Sequence, residues 1–188
     1  MKWIHLLLVY LGLLLILPAC GPAQVSDTPV PASTTALPAT TPDWFAVQLT
    51  DVQTGETFSM NDYAGKVVLL ETMAIWCPNC LVQANEVRKL HELLGNPEDL
   101  VSVSLDVDVN EDSESLMEFA SQYGYTWHFA VAPLEIARAL GNLYTAQYLN
   151  PPLSPMLMID RQGQVHHLEY GLKEAEQLQK YIQPYLKE

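Results

Sequence analysis

Two cysteines separated by two residues are the part of this sequence best suited to chemistry. Cys77 and Cys80 stand in the stretch Trp76-Cys77-Pro78-Asn79-Cys80, where an apolar run ends and a helical pattern begins. A thiolate at a helix N-terminus is stabilised by unpaired amide hydrogens and by the helix dipole, so Cys77 should ionise readily. Pro78 suits the first helical turn, where its missing N–H is not needed.

The spacing of the pair favours reactivity over structural support. A disulfide between Cys77 and Cys80 closes a very short ring, which removes little entropy from the unfolded chain. The chain has three cysteines in all, too few for a disulfide-stapled scaffold or a four-thiolate zinc site. We therefore expect thiol–disulfide exchange, with no resident metal ion and no cofactor.

The elements that must position these cysteines alternate between strand and helix. Residues 67–74 are apolar on both faces, which predicts a strand covered on two sides. Residues 78–94 have a helical pattern that ends at Gly95. Further predictions are an N-terminal hairpin (45–49 and 57–58), strands at 100–105, 127–131 and 155–159, a late strand at 164–170, and helices at 113–123, 133–140 (ended by Gly141) and 173–186. This alternation indicates an α/β sheet with an antiparallel edge.

The segment before this domain has the pattern of a targeting sequence. One lysine, Lys2, precedes a mostly apolar run over 6–17, too short for a comfortable membrane span. The run ends Leu-Pro-Ala-Cys, which resembles the lipobox of bacterial lipoproteins. That resemblance implies a signal peptide over 1–19, a lipidated Cys20 at the mature N-terminus, and a lipid anchor that holds the protein outside the cytoplasm on the bacterial cell membrane. An uncleaved signal anchor with an incidental cysteine is the alternative.

Composition supports one tethered domain. The lipidated Cys20 and a Pro- and Thr-rich stretch make residues 20–42 a semi-stiff tether, which leaves 43–188 as the domain. Hydrophobic residues make up 49% of the chain, enough for a core. The formal net charge of -13 makes nucleic acid an unsuitable partner.

Two segments carry a family resemblance. The first is GKVVLL (65–70), followed after five residues by Trp-Cys-x-x-Cys; the second is SPMLMIDRQG (154–163). Together they resemble the extracytoplasmic thioredoxin-like proteins of the TlpA/ResA type. The resemblance implies a thioredoxin-like α/β fold, in which helices flank a central mixed β-sheet, with an N-terminal β-hairpin and a central αβ insertion.

The resemblance also implies roles for individual residues. Cys77 is the expected attacking thiol and Cys80 the resolving thiol, and the two form the redox-active disulfide. Pro155 is the expected cis-proline facing that disulfide, and the backbone at Ser154 is expected to hydrogen-bond an extended substrate.

Trp76 and Pro78 are expected to contact the substrate beside the reactive thiol. Trp76 would cover that thiol on one side, and a place in the core is the alternative for its indole.

Glu71 is the candidate proton carrier. It lies six residues before Cys77, inside an apolar strand, where burial should raise its pKa. A carboxyl poised near neutrality could take the proton from Cys80 and return it. The alternative is a structural role, with Glu71 reaching solvent or pairing with Lys66.

These features predict a membrane-tethered extracytoplasmic thiol–disulfide oxidoreductase. Its partners are expected to be protein thiols and disulfides, and a redox partner in the membrane or envelope. Pro78 and Asn79 bring no cation between the cysteines, which favours a reducing couple because the thiolate is less stabilised.

Three other functions fit less well. A peroxiredoxin needs Pro and Thr or Ser where this chain has Leu70 and Ala74. A Sco-type copper-delivery protein has a longer Cys spacing and a nearby His; His166 and His167 adjoin each other on a strand, so at most one could face the cysteines. The acids at 106, 108, 111 and 112 lack a complete EF-hand series and are interpreted as a solvated loop.

Overall fold

The computed structural model describes residues 41–186. The strands are β1 (Leu49–Thr50), β2 (Thr57–Phe58), β3 (Val67–Met73), β4 (Leu100–Asp106), β5 (His128–Val131), β6 (Met156–Ile159) and β7 (Val165–His167). The helices are α1 (Pro78–Leu94), α2 (Ser113–Tyr123), α3 (Leu134–Ala139) and α4 (Ala175–Leu186). The expected signal peptide, Cys20 and nearly all of the tether lie outside the described residues. Within 41–186, no helix combines the length and apolar character needed to cross a membrane.

A five-stranded mixed sheet with the order β5-β4-β3-β6-β7 forms the centre of the domain. Strands β3, β4 and β5 are parallel, whereas β6 runs antiparallel to β3, and β7 to β6. All seven residues of β3 are buried, as expected for a central strand with both faces covered. The predicted mixed sheet with an antiparallel edge is confirmed.

The core has two layers, one on each face of the sheet. Residues of α1, α2 and α4 pack with Leu69, Met73 and both cysteines on one face. The N-terminal segment and α3 pack with Val68 and Leu70 on the other face. Because side chains alternate along a strand, Glu71 lies on the face that holds the cysteines.

The N-terminal hairpin forms, but it is shorter than predicted. Strands β1 and β2 pair antiparallel as a separate two-stranded sheet. Residues Asp43–Ala46 form a 3₁₀ turn in place of the expected strand. Trp44 and Phe45 are consecutive and both buried, which an alternating strand cannot achieve when only one of its faces is covered.

The predicted helix stop at Gly141 is wrong. Helix α3 continues into a π-helical turn over Leu140–Tyr144. A Cβ added at Gly141 would lie 3.3 Å from Leu149 Cδ1. The glycine therefore serves close packing against Leu149, whereas Gly95 takes the left-handed conformation and ends α1 as expected.

Candidate active site

The two cysteines form a disulfide at the N-terminus of α1. Cys77 is the N-cap residue, and its Sγ accepts a hydrogen bond of 3.2 Å from the Cys80 amide. Pro78 occupies the first turn, as the sequence predicts. The strand β3 delivers the chain to this point, so the pair sits where the carboxyl end of a central strand meets a helix N-terminus.

Both sulfur-bearing residues are largely covered. Cys77 is 1% exposed and Cys80 is 2% exposed. The Cys80 Sγ lies 3.5 Å from the carbonyl oxygen of Pro151, and the Asn79 side-chain amide donates to the carbonyl of Pro152 at 2.8 Å. The segment before β6 therefore closes over one side of the pair. On the other side, Cys77 lines an open groove of about 480 Å³.

Trp76 is held rigidly although its side chain is 56% exposed. Its indole Nε1 donates to Asp108 Oδ2 at 2.6 Å, and its backbone amide lies 3.4 Å from Glu111 Oε1. The amide of Ile75 donates to Glu111 Oε2 at 2.7 Å. The loop that carries the reactive pair is thus fastened by two carboxylates from the loop after β4.

The sequence pattern, interpreted as a solvated loop, does not predict this role of Asp108 and Glu111. A signal was available, because β3 and β4 are parallel and the loops after parallel strands meet at the same edge of a sheet. In the structure Met73 pairs with Asp106 at that edge. Burial, with Glu111 and Asp108 nearby, raises the pKa of Asp106.

Glu71 is buried, 5% exposed, and its Oε1 accepts a hydrogen bond of 2.5 Å from Ser104 Oγ. Burial raises its pKa to about 7, although the Ser104 hydroxyl and the charge of Lys173 favour ionisation. The predicted rise in pKa is confirmed. Glu71 does not reach solvent, and the cation that acts on it is Lys173, not the Lys66 considered from the sequence.

Lys173 is a buried cation that sequence reasoning did not find. It is 2% exposed, and its Nζ donates to the carbonyls of Ser154 (2.9 Å) and Gly171 (2.6 Å). Burial lowers its pKa to about 8, with Glu71 acting in the opposite direction. A lysine at the start of a surface helix has no local pattern that marks it as buried.

The side chain of Gln83 ties Lys173 to the helix that carries the cysteines. Gln83 Oε1 accepts from the Lys173 amide at 2.9 Å, and Gln83 Nε2 donates to the Lys173 carbonyl at 3.1 Å. Gln83 is itself buried and lies on α1. Lys173 therefore links α1 to the Ser154 carbonyl, and its charge favours the ionised form of Glu71.

The prediction that Pro155 follows a cis peptide bond is wrong, since no bond among the described residues is cis. Ser154 instead adopts a left-handed conformation with φ 46° and ψ 55°. This turn at Ser154 directs the chain into β6, and the Pro155 carbonyl accepts from the Thr72 amide of β3 at 3.1 Å. A trans bond therefore suffices to bring the loop against the central strand.

Both backbone groups of Ser154 have partners within the protein. Its amide donates to the Pro151 carbonyl at 2.8 Å, and its carbonyl accepts from Lys173. The expected contact of Ser154 and Pro155 with an extended substrate stays a prediction.

The adjacent histidines of β7 face opposite ways, as expected. His166 Nε2 is 2.6 Å from Asp160 Oδ2, and His167 Nδ1 is 2.8 Å from the hydroxyl of Tyr148. In the part of the chain that the structure describes, no group of three or more His, Cys, Asp or Glu side chains has the arrangement of a metal site.

Comparison with known proteins gives one family match and many structural neighbours. The family model described as Redoxin matches residues 26–182. A search of curated proteins finds no match. The family match and the neighbours confirm the predicted thioredoxin-like fold, and with the Cys77–Cys80 pair they support the predicted enzyme class.

Three solved structures represent the neighbours. A provisionally named protein disulfide isomerase from Bacteroides thetaiotaomicron is 24% identical, with a TM-score of 0.61, over 76% of this chain and 86% of that one. A thiol:disulfide interchange protein of the thioredoxin family from Chlorobium tepidum is 17% identical, with a TM-score of 0.60, over 74% of this chain and 92% of that one. A thiol-disulfide isomerase from Corynebacterium glutamicum is 21% identical, with a TM-score of 0.58, over 72% of this chain and 90% of that one.

Proposed function

The chain belongs to the Redoxin family, and on that premise we propose that it is a membrane-tethered extracytoplasmic thiol–disulfide oxidoreductase that reduces disulfides in partner proteins. The observation that carries the proposal is the Cys77–Cys80 disulfide at the N-terminus of α1, with Cys77 opening onto a groove. A disulfide between two cysteines so close in sequence contributes little to stability, but at this position it can exchange with a disulfide of a partner protein.

Reduction of a partner proceeds in two exchange steps. The Cys77 thiolate attacks one sulfur of the partner disulfide, which forms a mixed disulfide and releases the other partner sulfur as a thiolate that takes up a proton. Cys80 then loses its proton and attacks the Cys77 sulfur, which restores the Cys77–Cys80 bond and releases the second partner thiolate. Two electrons pass from the dithiol to the partner, and an envelope redox partner must return them.

The electrostatics of the site suit these steps. The amide of Cys80 donates to the Cys77 sulfur, and this bond together with the positive end of the α1 dipole would stabilise the Cys77 thiolate. Glu71, with its pKa raised to about 7, lies on the same face of the sheet and is the group proposed to accept the Cys80 proton. Ser104 and Lys173 favour the ionised carboxylate that this role requires.

The charges around the pair support the proposed direction toward reduction. The residues between the cysteines carry no cation, and the loop that holds them is bound by the carboxylates of Asp108 and Glu111. Negative charge near a thiolate disfavours it, and a less stabilised thiolate means a more stable disulfide and a more reducing dithiol.

The proposed anchor is the lipid on Cys20. The tether that follows it would hold the domain away from the bilayer while keeping it near membrane partners. This part of the proposal rests on the sequence pattern of residues 1–42.

The test is an equilibrium redox titration of the full chain, read by thiol alkylation and mass. We expect Cys77 and Cys80 to lose or gain two alkylations together, with a midpoint below about −200 mV, in the range of reducing thioredoxin-like couples. With a Cys80→Ser variant, a mixed disulfide on Cys77 should accumulate. A midpoint far above that range would reverse the proposed direction, and a pair that cannot be reduced and reoxidised would refute the function.

A further inference from the structure

A groove between the N-terminus of α1 and helix α2 leads to the reactive sulfur. It has a volume of about 480 Å³ and includes Cys77 itself in its wall. Its other lining residues come from the loop after β3, the first turns of α1 and one stripe of α2: Ile75, Trp76, Pro78, Leu81, Ser115, Glu118, Phe119, Gln122 and Tyr123.

This groove is the open approach to Cys77. The opposite side of the pair is closed by the bond from Asn79 to the Pro152 carbonyl and by the Pro151 carbonyl against Cys80 Sγ. Ser154, which follows in that segment, already uses both of its backbone groups. The α2 side therefore offers a partner sulfur an approach to Cys77 that displaces no part of this segment, and the residues beside that sulfur would then lie near α2.

The walls of the groove are apolar and aromatic, with a polar stripe along one side. Ile75, Leu81 and Phe119 form part of the apolar wall, and the exposed indole of Trp76 is fixed in place by Asp108. On α2, positions 115, 118 and 122 are spaced three and four residues apart, so their exposed side chains lie on one face of that helix. A partner side chain with an apolar stem and a polar end could therefore pack its stem on the apolar wall and place its end beside the polar stripe.

The exposed charged side chains along the polar stripe of the groove are acidic. Of the described residues that line the groove, Glu118 alone is charged, and the exposed acids Asp112 and Glu114 precede it at the start of α2. Arg88 is near the Tyr123 end, but its guanidinium is engaged by the Tyr123 carbonyl and by Asn85. A cationic side chain that enters the groove therefore finds an unneutralised carboxylate.

We propose that the groove binds the partner segment next to its reacting cysteine, and that Glu118 selects a partner with Lys or Arg there. The proposal rests on the proposed function and names the class of substrate that the same site accepts. A Lys or Arg side chain suits both parts of the groove, because its stem packs on apolar surface and on the Trp76 ring while its charged end reaches the carboxylate. The bond changes are those of the first exchange step described above.

The test compares two matched peptides with reduced full-length protein. Each peptide carries one cysteine disulfide-bonded to thionitrobenzoate, and the residue beside that cysteine is Lys in one and Glu in the other. Release of coloured thionitrobenzoate gives the second-order rate constant. We expect the Lys peptide to react roughly threefold faster at low salt, the effect of one exposed ion pair, and the difference to shrink as salt screens it.

Charge reversal locates the effect. In a Glu118→Lys variant the preference should invert, so that the Glu peptide reacts faster. The matched control is Glu98→Lys, an exposed acid before β4 at the opposite edge of the sheet, which changes the net charge equally and should keep the wild-type preference. Equal effects of the two variants on both peptides would overturn the role of Glu118.

A steric pair of variants tests the groove itself. Gln122→Trp places a bulky ring in the lining and should slow the Lys peptide roughly tenfold, since misplacing a reacting group is costly, while the small neutral hydroxyethyl disulfide, which enters by the same groove but needs less room, should be slowed much less. Ser121→Trp, on an exposed neighbouring position outside the lining, should change neither rate. If Gln122→Trp leaves the peptide rate intact, the groove is not the docking site; if neither peptide nor small disulfide reacts with wild type, the proposed function itself fails.

Discussion

At the scale of single residues, Glu71 is a carboxyl side chain in an environment that its charged form does not favour. It sits in the central strand with one hydroxyl partner, Ser104, and with the buried ammonium of Lys173 acting on it from the segment before α4. An isolated carboxylate at such a depth would be strongly disfavoured. These two partners keep its pKa near neutrality, where a carboxyl can both take and return a proton.

The raised pKa of Glu71 predicts a pH dependence of stability with a definite sign. The folded protein holds this proton up to about pH 7, whereas an ordinary Glu loses it near 4.5. Since the folded state binds more protons in this window, Glu71 lowers the free energy of unfolding as pH rises from about 4.5 to 7, by at most about 3 kcal/mol.

Urea unfolding of the oxidised protein at pH 5 and pH 8 checks this prediction. Relative to wild type, Glu71→Gln should gain about 2 kcal/mol between the two pH values, because it removes the group whose ionisation is disfavoured in the folded state. Glu56→Gln, at an exposed position beside β2, is the matched control and should gain nothing. A constant difference between wild type and Glu71→Gln across this pH range would contradict the raised pKa.

At the scale of elements, the reactive pair is positioned by a helix, two strands and the loops between them. Helix α1 supplies the Cys80 amide that donates to Cys77, and the loop after β4 fastens the loop after β3 through Asp108 and Glu111. Lys173 and Gln83 join the segment before α4 to α1. The cysteines are therefore held from three directions, with the α2 side left open.

The hydrogen bond from the Ile75 amide to Glu111 predicts that the loop after β3 opens more often when this carboxylate is removed. In Glu111→Ala the Ile75 amide loses a charged acceptor, an interaction that contributes about 1.5–3 kcal/mol. Hydrogen exchange at Ile75 should then quicken by roughly tenfold or more, if exchange there occurs by local opening of this loop.

The control for this measurement is Glu114→Ala, an exposed acid in the first turn of α2. Its exchange at Ile75 should equal that of wild type. Unchanged protection of Ile75 in Glu111→Ala would mean that the carboxylate does not hold the loop.

At the scale of the whole molecule, the proposed membrane tether would hold an acidic domain near anionic lipid. With a formal net charge of -13, the chain is repelled by anionic lipid and gains nothing from electrostatic adsorption. The proposed lipid anchor would overcome this repulsion, since buried methylenes supply the binding energy. The same acidity favours encounters with cationic partner segments over nucleic acid.

The proposed anchor predicts lipid labelling at one cysteine. When the full chain is expressed in a bacterium supplied with labelled palmitate, the wild type should incorporate the label and Cys20→Ser should not. Cys77→Ser and Cys80→Ser are matched controls that should keep it. Labelling that survives in Cys20→Ser, or is absent from wild type, would favour an uncleaved signal anchor over a lipoprotein.

Local features of the sequence were enough to predict the elements that carry the cysteines. The apolar run of β3, Pro78 in the first turn of α1 and the left-handed Gly95 at its end all act within a few residues. The same holds for the raised pKa of Glu71, because a carboxyl within a run of apolar residues on both strand faces is buried in any fold that covers the strand.

The tertiary structure alone decided what surrounds the pair. Gln83 and Lys173 are 90 residues apart in the chain, and Ile75 and Glu111 are 36 apart, so no local periodicity brings them together. The trans bond at Pro155, the left-handed Ser154 and the open groove beside α2 depend in the same way on how β6 and α2 pack against the central strand. Such contacts follow from strand order and helix packing, which are properties of the whole folded chain and not of any segment within it.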